Sequence, residues 1–204
     1  MPGTDFKPAD AQRFQAALHR FDEENTRDPN CETVSGVSHP RELLYADRLT
    51  GWVMKLAPDA SEALRLAARC QHLCRWQIPR ASYPMTRPGY LLWRSDLKKF
   101  HSQKAGEILR ACGYPEETVL RVQQLNLKQN FPADPECCVL EDALCLVFLE
   151  FQLADLAEKT AADKVVNAIQ KSWKKMTPRG REAALKLAFA PRENALIQQA
   201  LAAG

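Results

Sequence analysis

Residues 139–156 are the stretch that most limits what this chain can fold into. Apolar side chains occupy almost every position there instead of one face, so a helix in this stretch has no side suited to water. Such a helix belongs at the centre of a bundle, covered by other helices. Its acidic residues include Glu141, Asp142 and Glu150. A buried carboxylate is costly unless it is paired, so we expect partners such as an arginine or a metal ion.

The other segments place apolar residues at three- and four-residue spacing, which is typical of amphipathic helices. Capping residues and prolines separate them: Asp59 is placed to cap a helix, and Thr177-Pro178 combines a cap with a first-turn proline. With 204 residues, 46% of them hydrophobic, the chain can bury one sizeable core. We therefore expect an all-α fold, a single compact helical bundle of about eight or nine helices spanning residues 1–204 as one domain, with residues 29–40 as a loop.

Composition argues against several classes of protein. No apolar run reaches the roughly 20 residues of a membrane span, and residues 1–7 lack the apolar stretch of a signal peptide. The seven cysteines are odd in number and lack zinc-ligand spacing, which indicates reduced thiols. The basic run at residues 164–192 has few aromatic residues interleaved with it, so nucleic acid is not an expected partner. We expect a cytoplasmic protein that does not enter a membrane.

Charge lies in two opposed blocks. Residues 69–110 contain nine basic and two acidic residues, whereas residues 132–163 contain eight acidic residues and one basic residue. Because the net charge is only +3, the local blocks matter more than the total. The basic block includes His72 and His101, and it predicts a site for a small anionic or phosphorylated ligand.

Histidine and carboxylate side chains that converge from several helices suit a divalent metal ion. We predict Glu42, His72, His101 and Asp142 as ligands of Mn, Fe, Co or Zn, and we expect the histidines and the Glu141-Asp142 pair to line one cavity. Water bound to such a metal is nucleophilic at neutral pH and can attack phosphorus. His72, Glu141 and Asp142 are then the predicted catalytic residues. The basic residues predicted to hold the substrate are Arg69, Arg75, Arg80, Lys98 and Lys104.

Each of these residues also has a structural interpretation. A histidine at the edge of an apolar helix face is more often a hydrogen-bonded structural residue than a ligand. Glu141 and Asp142 follow a proline, so they also fit an acidic pair at a helix start, where the helix dipole favours negative charge. For Glu150, the expected structural partner is Arg48 or Arg69.

Four motifs resemble a family catalogued only as a domain of unknown function. They are PRELLYAD at residues 40–47, RCQHLCRWQIPR at 69–80, KKFH at 98–101 and LEDALCLVFLE at 140–150. The resemblance covers nearly the whole chain. It implies a compact single-domain protein of about this size, of a kind found in bacteria and fungi, and it implies no particular reaction.

A more distant similarity is to the HD-type metal-dependent phosphohydrolases. Those proteins are all-helical and carry a His, then an adjacent His-Asp pair, then a later Asp. This chain is similar in offering Glu42 at the first position, His72 where the pair belongs and Asp142 at the last position. The His-Asp doublet itself is missing, and His101 is the candidate substitute ligand. The similarity implies an HD-domain-like bundle that hydrolyses a nucleotide-like compound.

Three functions remain open from the sequence. The first is a metal-dependent hydrolase of a small phosphorylated compound. The second is a non-catalytic helical module that binds an anionic ligand or a partner protein. The third is an iron-dependent oxygenase, which would use the same His and carboxylate ligands.

Overall fold

A computed structural model describes residues 6–202, and within them it contains ten α-helices and one β-hairpin. The helices are α1 (Ala11–Thr26), α2 (Arg41–Leu56), α3 (Glu62–Cys70), α4 (Arg87–Ala111), α5 (Glu116–Leu127), α6 (Pro135–Val147), α7 (Leu153–Lys159), α8 (Ala162–Lys175), α9 (Pro178–Leu185) and α10 (Pro191–Ala202). The expected mostly α-helical fold is confirmed. The prediction about a signal peptide falls largely on residues 1–5, which lie outside the described residues.

The central helix has the predicted burial but not the predicted continuity. Residues 139–156 fall in α6, in a π-helical segment at Phe148–Gln152 and in α7. Because one predicted helix is divided in two, the described residues contain ten α-helices instead of the expected eight or nine. Leu140, Ala143 and Leu146 are almost fully buried. Helix α6 packs against α2, α3, α5, α8 and α9, so the segment predicted to be central does lie at the centre.

The prediction that residues 29–40 form a loop is wrong. Strands β1 (Cys31–Val34) and β2 (Val37–Pro40) pair in an antiparallel hairpin. Ser35 and Gly36 both have positive φ, at 51° and 81°, as the tightest hairpin turns require. The strands are four residues long and none of their residues is fully buried, so they lack the alternating apolar pattern from which a strand is predicted.

Side-chain caps define several helix ends. The hydroxyl of Thr177 accepts a hydrogen bond from the backbone N–H of Gly180 at 3.2 Å, as the predicted cap of α9. Helix α3 begins differently from the prediction, because Ser61 and not Asp59 caps it, accepting from the N–H of Leu64 at 3.1 Å.

One connected cluster of buried apolar side chains runs from α1 to α10. Helices α2, α4, α6 and α8 all contribute to it, and they also leave a polar cavity between them. Among the helices of residues 6–202, none combines the length and the apolar character needed to cross a bilayer.

Candidate functional site

A cavity of about 860 Å³ is walled by α2, the segment after α3, α4, α6, the π-helical segment, α7 and α8. Its lining is strongly cationic, with eight basic and four acidic residues. The basic residues are Arg41, Arg48, Arg75, Arg94, Lys98, Lys128, Lys159 and Lys175. The acidic residues are Glu32, Glu42, Glu141 and Asp155.

The two predicted histidines meet in this cavity. The ring centroids of His72 and His101 are 5.8 Å apart, and Tyr45 stacks on His72 with centroids 4.0 Å apart and planes inclined by 13°. His72 lies just beyond α3, while His101 comes from the middle of α4. Of the four residues predicted to line one cavity, the two histidines and Glu141 do so, and Asp142 does not.

The partners of His72 define its tautomer. Nδ1 lies 3.4 Å from Oε2 of Glu42, and Nε2 lies 3.5 Å from Nη1 of Arg75. A guanidinium can only donate hydrogen bonds, so Nε2 is the acceptor and Nδ1 carries the proton directed at Glu42. Nε of Arg75 is also 3.7 Å from Oε1 of Glu42, which closes a three-residue network.

His101 has the same tautomer for a different reason. Its Nδ1 lies 2.7 Å from the backbone carbonyl of Leu73, which can only accept, so Nδ1 is the protonated nitrogen. Nε2 is therefore a hydrogen-bond acceptor. His101 is only 3% exposed, so this nitrogen is buried. No side chain or backbone group of the described residues donates a hydrogen bond to it.

Burial controls protonation in this network. It raises the pKa of the Glu42 carboxyl to about 7, against the opposing charge of Arg75. Burial, together with the neighbouring His72, lowers the pKa of His101 to about 3. Burial also holds the pKa of His72 well below its ordinary value, and Arg75 and Arg94 act in the same direction. At neutral pH both imidazoles are uncharged, and Glu42 is close to its own titration.

Two half-buried cations of the cavity wall have no anionic partner among the described residues. Arg94 and Lys98 lie four residues apart on α4, both half-buried, and neither makes an ion pair with a carboxylate of residues 6–202. Burial and the charge of Arg94 lower the pKa of Lys98, and the carboxylate of Glu141 raises it without offsetting them.

Glu141 lies in the cavity but is already neutralised. It pairs with Lys128 and, at 3.0 Å, with Nζ of Lys175. Burial raises the pKa of Glu141, yet the two lysines outweigh burial and hold it below its ordinary value. Lys128 has a left-handed backbone, with φ of 58°, at the end of α5. Such a conformation is uncommon for lysine, and it occurs here where the side chain turns to the carboxylate.

Asp142 does not join the histidines. Its carboxylate accepts hydrogen bonds from the backbone N–H of Thr177 at 2.8 Å and from the Thr177 hydroxyl, and it is not among the cavity-lining residues. Gly180 packs so closely against it that a side chain there would collide with the carboxylate. The sequence prediction for Asp142 is corrected: it secures the start of α9.

Three basic residues predicted to hold the substrate also lie elsewhere. Arg69 pairs with Asp22 and Asp47 beside α1. The guanidinium of Arg80 donates to backbone carbonyls in its own loop, including that of Pro84 at 2.7 Å. Lys104 has its ammonium 3.5 Å from a carboxylate oxygen of Glu24. Because none of the three lines the cavity, only Arg75 and Lys98 of the predicted set are positioned there.

Glu150 has neither of its predicted partners. Its Oε2 accepts a hydrogen bond from Nε1 of Trp52 at 2.7 Å, and the residue is exposed because the π-helical segment turns it outward. Arg48 instead pairs with Glu32 of the hairpin at 2.7 Å and stacks over the ring of Phe151. The expectation of an arginine bound to Glu150 is therefore wrong.

Comparison with models of known protein families identifies the family of this chain. Residues 15–197 match the family described as "Domain of unknown function (DUF4202)". The chain belongs to this family. No curated protein and no solved structure matches it.

The metal site predicted for this DUF4202 member does not form as a full ligand set. Glu42, His72 and His101 meet, but Asp142 is held by Thr177 instead. Throughout residues 6–202, no three His, Cys, Asp or Glu side chains converge as a group that could hold a metal ion. The guanidinium beside Nε2 of His72 would also repel a cation. With Arg75 beside His72, the arrangement does not fit a bound metal.

Several cavity residues of this DUF4202 member were missed by the sequence predictions. Arg94 had a detectable signal, because it lies four residues before Lys98 and seven before His101 on one face of α4. Tyr45 had none that separates it from an ordinary core residue. Lys128 and Lys175 are distant in sequence from the histidines, and only the packing of α5 and α8 brings them to the cavity.

Proposed function

We propose that the cavity binds a small phosphorylated compound. The observation that carries the proposal is the pair Arg94 and Lys98, two half-buried cations without an anionic partner among the described residues. Buried charge is unfavourable unless it is compensated, so a cavity that holds such a pair is suited to an anion. Arg75 adds a third cation, which is only loosely paired with Glu42 at 3.7 Å.

A phosphate group suits these side chains better than a simple monoanion. Guanidinium groups bind phosphate oxygens in bidentate fashion, and a lysine adds a point charge. A phosphate monoester carries up to two negative charges near neutral pH, which matches the combined charge of Arg94 and Lys98. The neutral imidazoles and Tyr45 supply the polar and aromatic surface beside them.

Calorimetric titration with inorganic phosphate and ribose 5-phosphate tests the proposal. Arg94→Ala and Lys98→Ala should each weaken binding by about 10- to 150-fold, because each removes charge-assisted hydrogen bonds worth about 1.5 to 3 kcal/mol. Lys99→Ala is the matched control, since Lys99 is the exposed neighbour of Lys98 and lies outside the cavity. Equal weakening by the control, or no binding by the wild type, contradicts the proposal.

The second candidate is a metal-dependent hydrolase of such a compound with an HD-domain-like arrangement. One observation favours it: His72 and His101 are neutral, their rings are close, and Nε2 of His101 lacks a donor. Neutral imidazole is the form that metals bind. Arg75 would have to leave His72 before a metal could bind there.

Elemental analysis and a metal-supplemented screen of phosphomonoesters, nucleotides and phosphodiesters test this candidate. The hydrolase predicts a bound divalent metal and phosphate release that His72→Ala abolishes. If the protein contains no metal and releases no more phosphate than the His72→Ala variant does, only the proposed binding function stands. Oxygen consumption without phosphate release points to the iron-dependent oxygenase.

We also propose a cytoplasmic location for the protein. The proposal is supported by the seven cysteines, all of which are free thiols.

A further inference from the structure

The strongest unexplained feature of the cavity is Nε2 of His101. The hydrogen bond from Nδ1 to the carbonyl of Leu73 makes Nε2 an acceptor, and the residue is 3% exposed. No donor among residues 6–202 reaches this nitrogen. Buried polar atoms in folded proteins are nearly always hydrogen-bonded, so the missing donor requires an explanation.

A neutral donor fits this position better than a charged one. Burial and the nearby cations disfavour positive charge on both imidazoles, and an ammonium from a ligand would meet the same repulsion from Arg75 and Arg94. With a pKa of about 3, His101 also does not supply its own proton at neutral pH. A hydroxyl group meets the requirement, because it can donate to an imidazole nitrogen while remaining uncharged.

The unpaired cations lie close to this acceptor along one helix. His101 follows Lys98 by three residues and Arg94 by seven on α4, which corresponds to about 4.5 and 10.5 Å along the helix axis. All three residues line the same cavity. A compound that uses both features therefore carries a hydroxyl only a few carbon atoms away from its phosphate.

We propose that the ligand of this cavity is a phosphorylated polyol, such as a sugar phosphate, one hydroxyl of which donates a hydrogen bond to Nε2 of His101. The inference rests on the proposed function and narrows its ligand class. His101 acts as a specificity-determining residue, since a site built to receive a hydroxyl strongly rejects analogues that lack it, by up to roughly 10⁴-fold.

Paired phosphate esters test the proposal by calorimetry. Glycerol 3-phosphate and propyl phosphate share the anion and the three-carbon chain, and only glycerol 3-phosphate has hydroxyl groups. Ribose 5-phosphate extends the series to a longer polyol. In the wild type, at least one polyol ester should bind about 10-fold tighter than propyl phosphate or better. In His101→Phe, which keeps a ring but removes the acceptor, this preference should disappear while propyl phosphate still binds.

Nitrogen-15 NMR of the histidine side chains in the wild-type protein gives a second measurement that does not depend on the variant folding. The Nε2 resonance of His101 should move in the direction of hydrogen bonding when the polyol ester is added, and it should not move with propyl phosphate. Inorganic phosphate separates the two proposals. Phosphate binding without any preference for a polyol ester overturns only the hydroxyl contact.

Two further outcomes are decisive. If neither phosphate nor any ester binds, both the proposed function and this inference are overturned. If Nε2 is already hydrogen-bonded in the free protein and remains unchanged on adding the polyol ester, the donor is a buried water only and the inference is wrong.

Discussion

At the scale of single residues, Glu42 sets a pH dependence that can be measured without knowing the ligand. Burial raises the pKa of its carboxyl from 4.5 to about 7 in the folded protein. Below pH 4.5 the group is protonated in both the folded and the unfolded state. Between pH 4.5 and 7 the folded state keeps a proton that the unfolded state has released. Stability contributed by Glu42 therefore falls as pH rises through this window, and the loss is complete above pH 7.

Glu42→Gln should remove that dependence, since glutamine resembles the protonated acid. We expect equal unfolding free energies for wild type and variant at pH 4, and a variant more stable by about 3 kcal/mol at pH 8. Urea unfolding at both values measures the difference. His72 and His101 are present in both proteins, so their own titration largely cancels from the difference. A variant that is less stable at pH 8 contradicts the raised pKa.

Asp142 is the residue at which the sequence and the structure differ most in role. Asp142→Asn should lower the free energy of unfolding by about 1 to 3 kcal/mol, because it weakens the charge-assisted hydrogen bonds to Thr177 that begin α9. Phosphate affinity should stay within twofold of the wild type. Urea unfolding measures the stability of the variant, and calorimetry measures its phosphate affinity. A loss of affinity with unchanged stability would show that Asp142 belongs to the binding site.

The site was predictable from the sequence only in part, and the physical reason is visible in individual residues. His72 and His101 stand out because they are polar residues at the edge of apolar helices in a basic block. Arg80 and Lys104 share that block, but the block does not show that their side chains are already occupied by loop carbonyls and by Glu24. Local sequence identifies charge, whereas pairing depends on which helices meet.

At the scale of secondary-structure elements, two helical glycines give opposite expectations. Gly51 in α2 has open space around the position of a side chain, so Gly51→Ala should raise the unfolding free energy by about 0.5 to 1 kcal/mol. Gly180 in α9 abuts the Asp142 carboxylate, so Gly180→Ala should lower it by about 1 to 3 kcal/mol. Thermal or urea unfolding of the two variants measures the contrast. A Gly180→Ala protein as stable as the wild type would show that α9 does not depend on this contact.

Helix positions followed from the sequence more reliably than breaks within them. Proline and capping signals located the starts of α9 and α10, because those signals act within one turn. The π-helical segment at Phe148–Gln152 has no such signal, since it contains no proline, glycine or capping residue. The segment determines where its side chains lie: Phe148 and Phe151 line the cavity, and Glu150 accepts a hydrogen bond from Trp52.

At the scale of the whole molecule, the cavity is lined by residues from many parts of the chain, from the hairpin to α8. A ligand there contacts helices that pack on one shared core, so its binding should stabilise the fold as a unit. At 100 times its dissociation constant, a ligand adds about 2.7 kcal/mol to the free energy of unfolding. The unpaired cations have the reverse effect in the free protein, because Arg94 and Lys98 repel each other on the same face of α4.

Lys98→Met should therefore separate stability from function. The substitution keeps much of the apolar stem and removes the charge, so the free protein should gain up to about 1 kcal/mol of stability. Phosphate at 100 times its wild-type dissociation constant should stabilise the wild type by about 2.7 kcal/mol and the variant by much less. Urea unfolding in phosphate and in chloride of equal ionic strength makes the measurement, with Lys99→Met as control for loss of one charge from α4. A destabilised free variant, or one that phosphate stabilises as much as the wild type, would mean that the cavity cations are structural and that the anion site lies elsewhere.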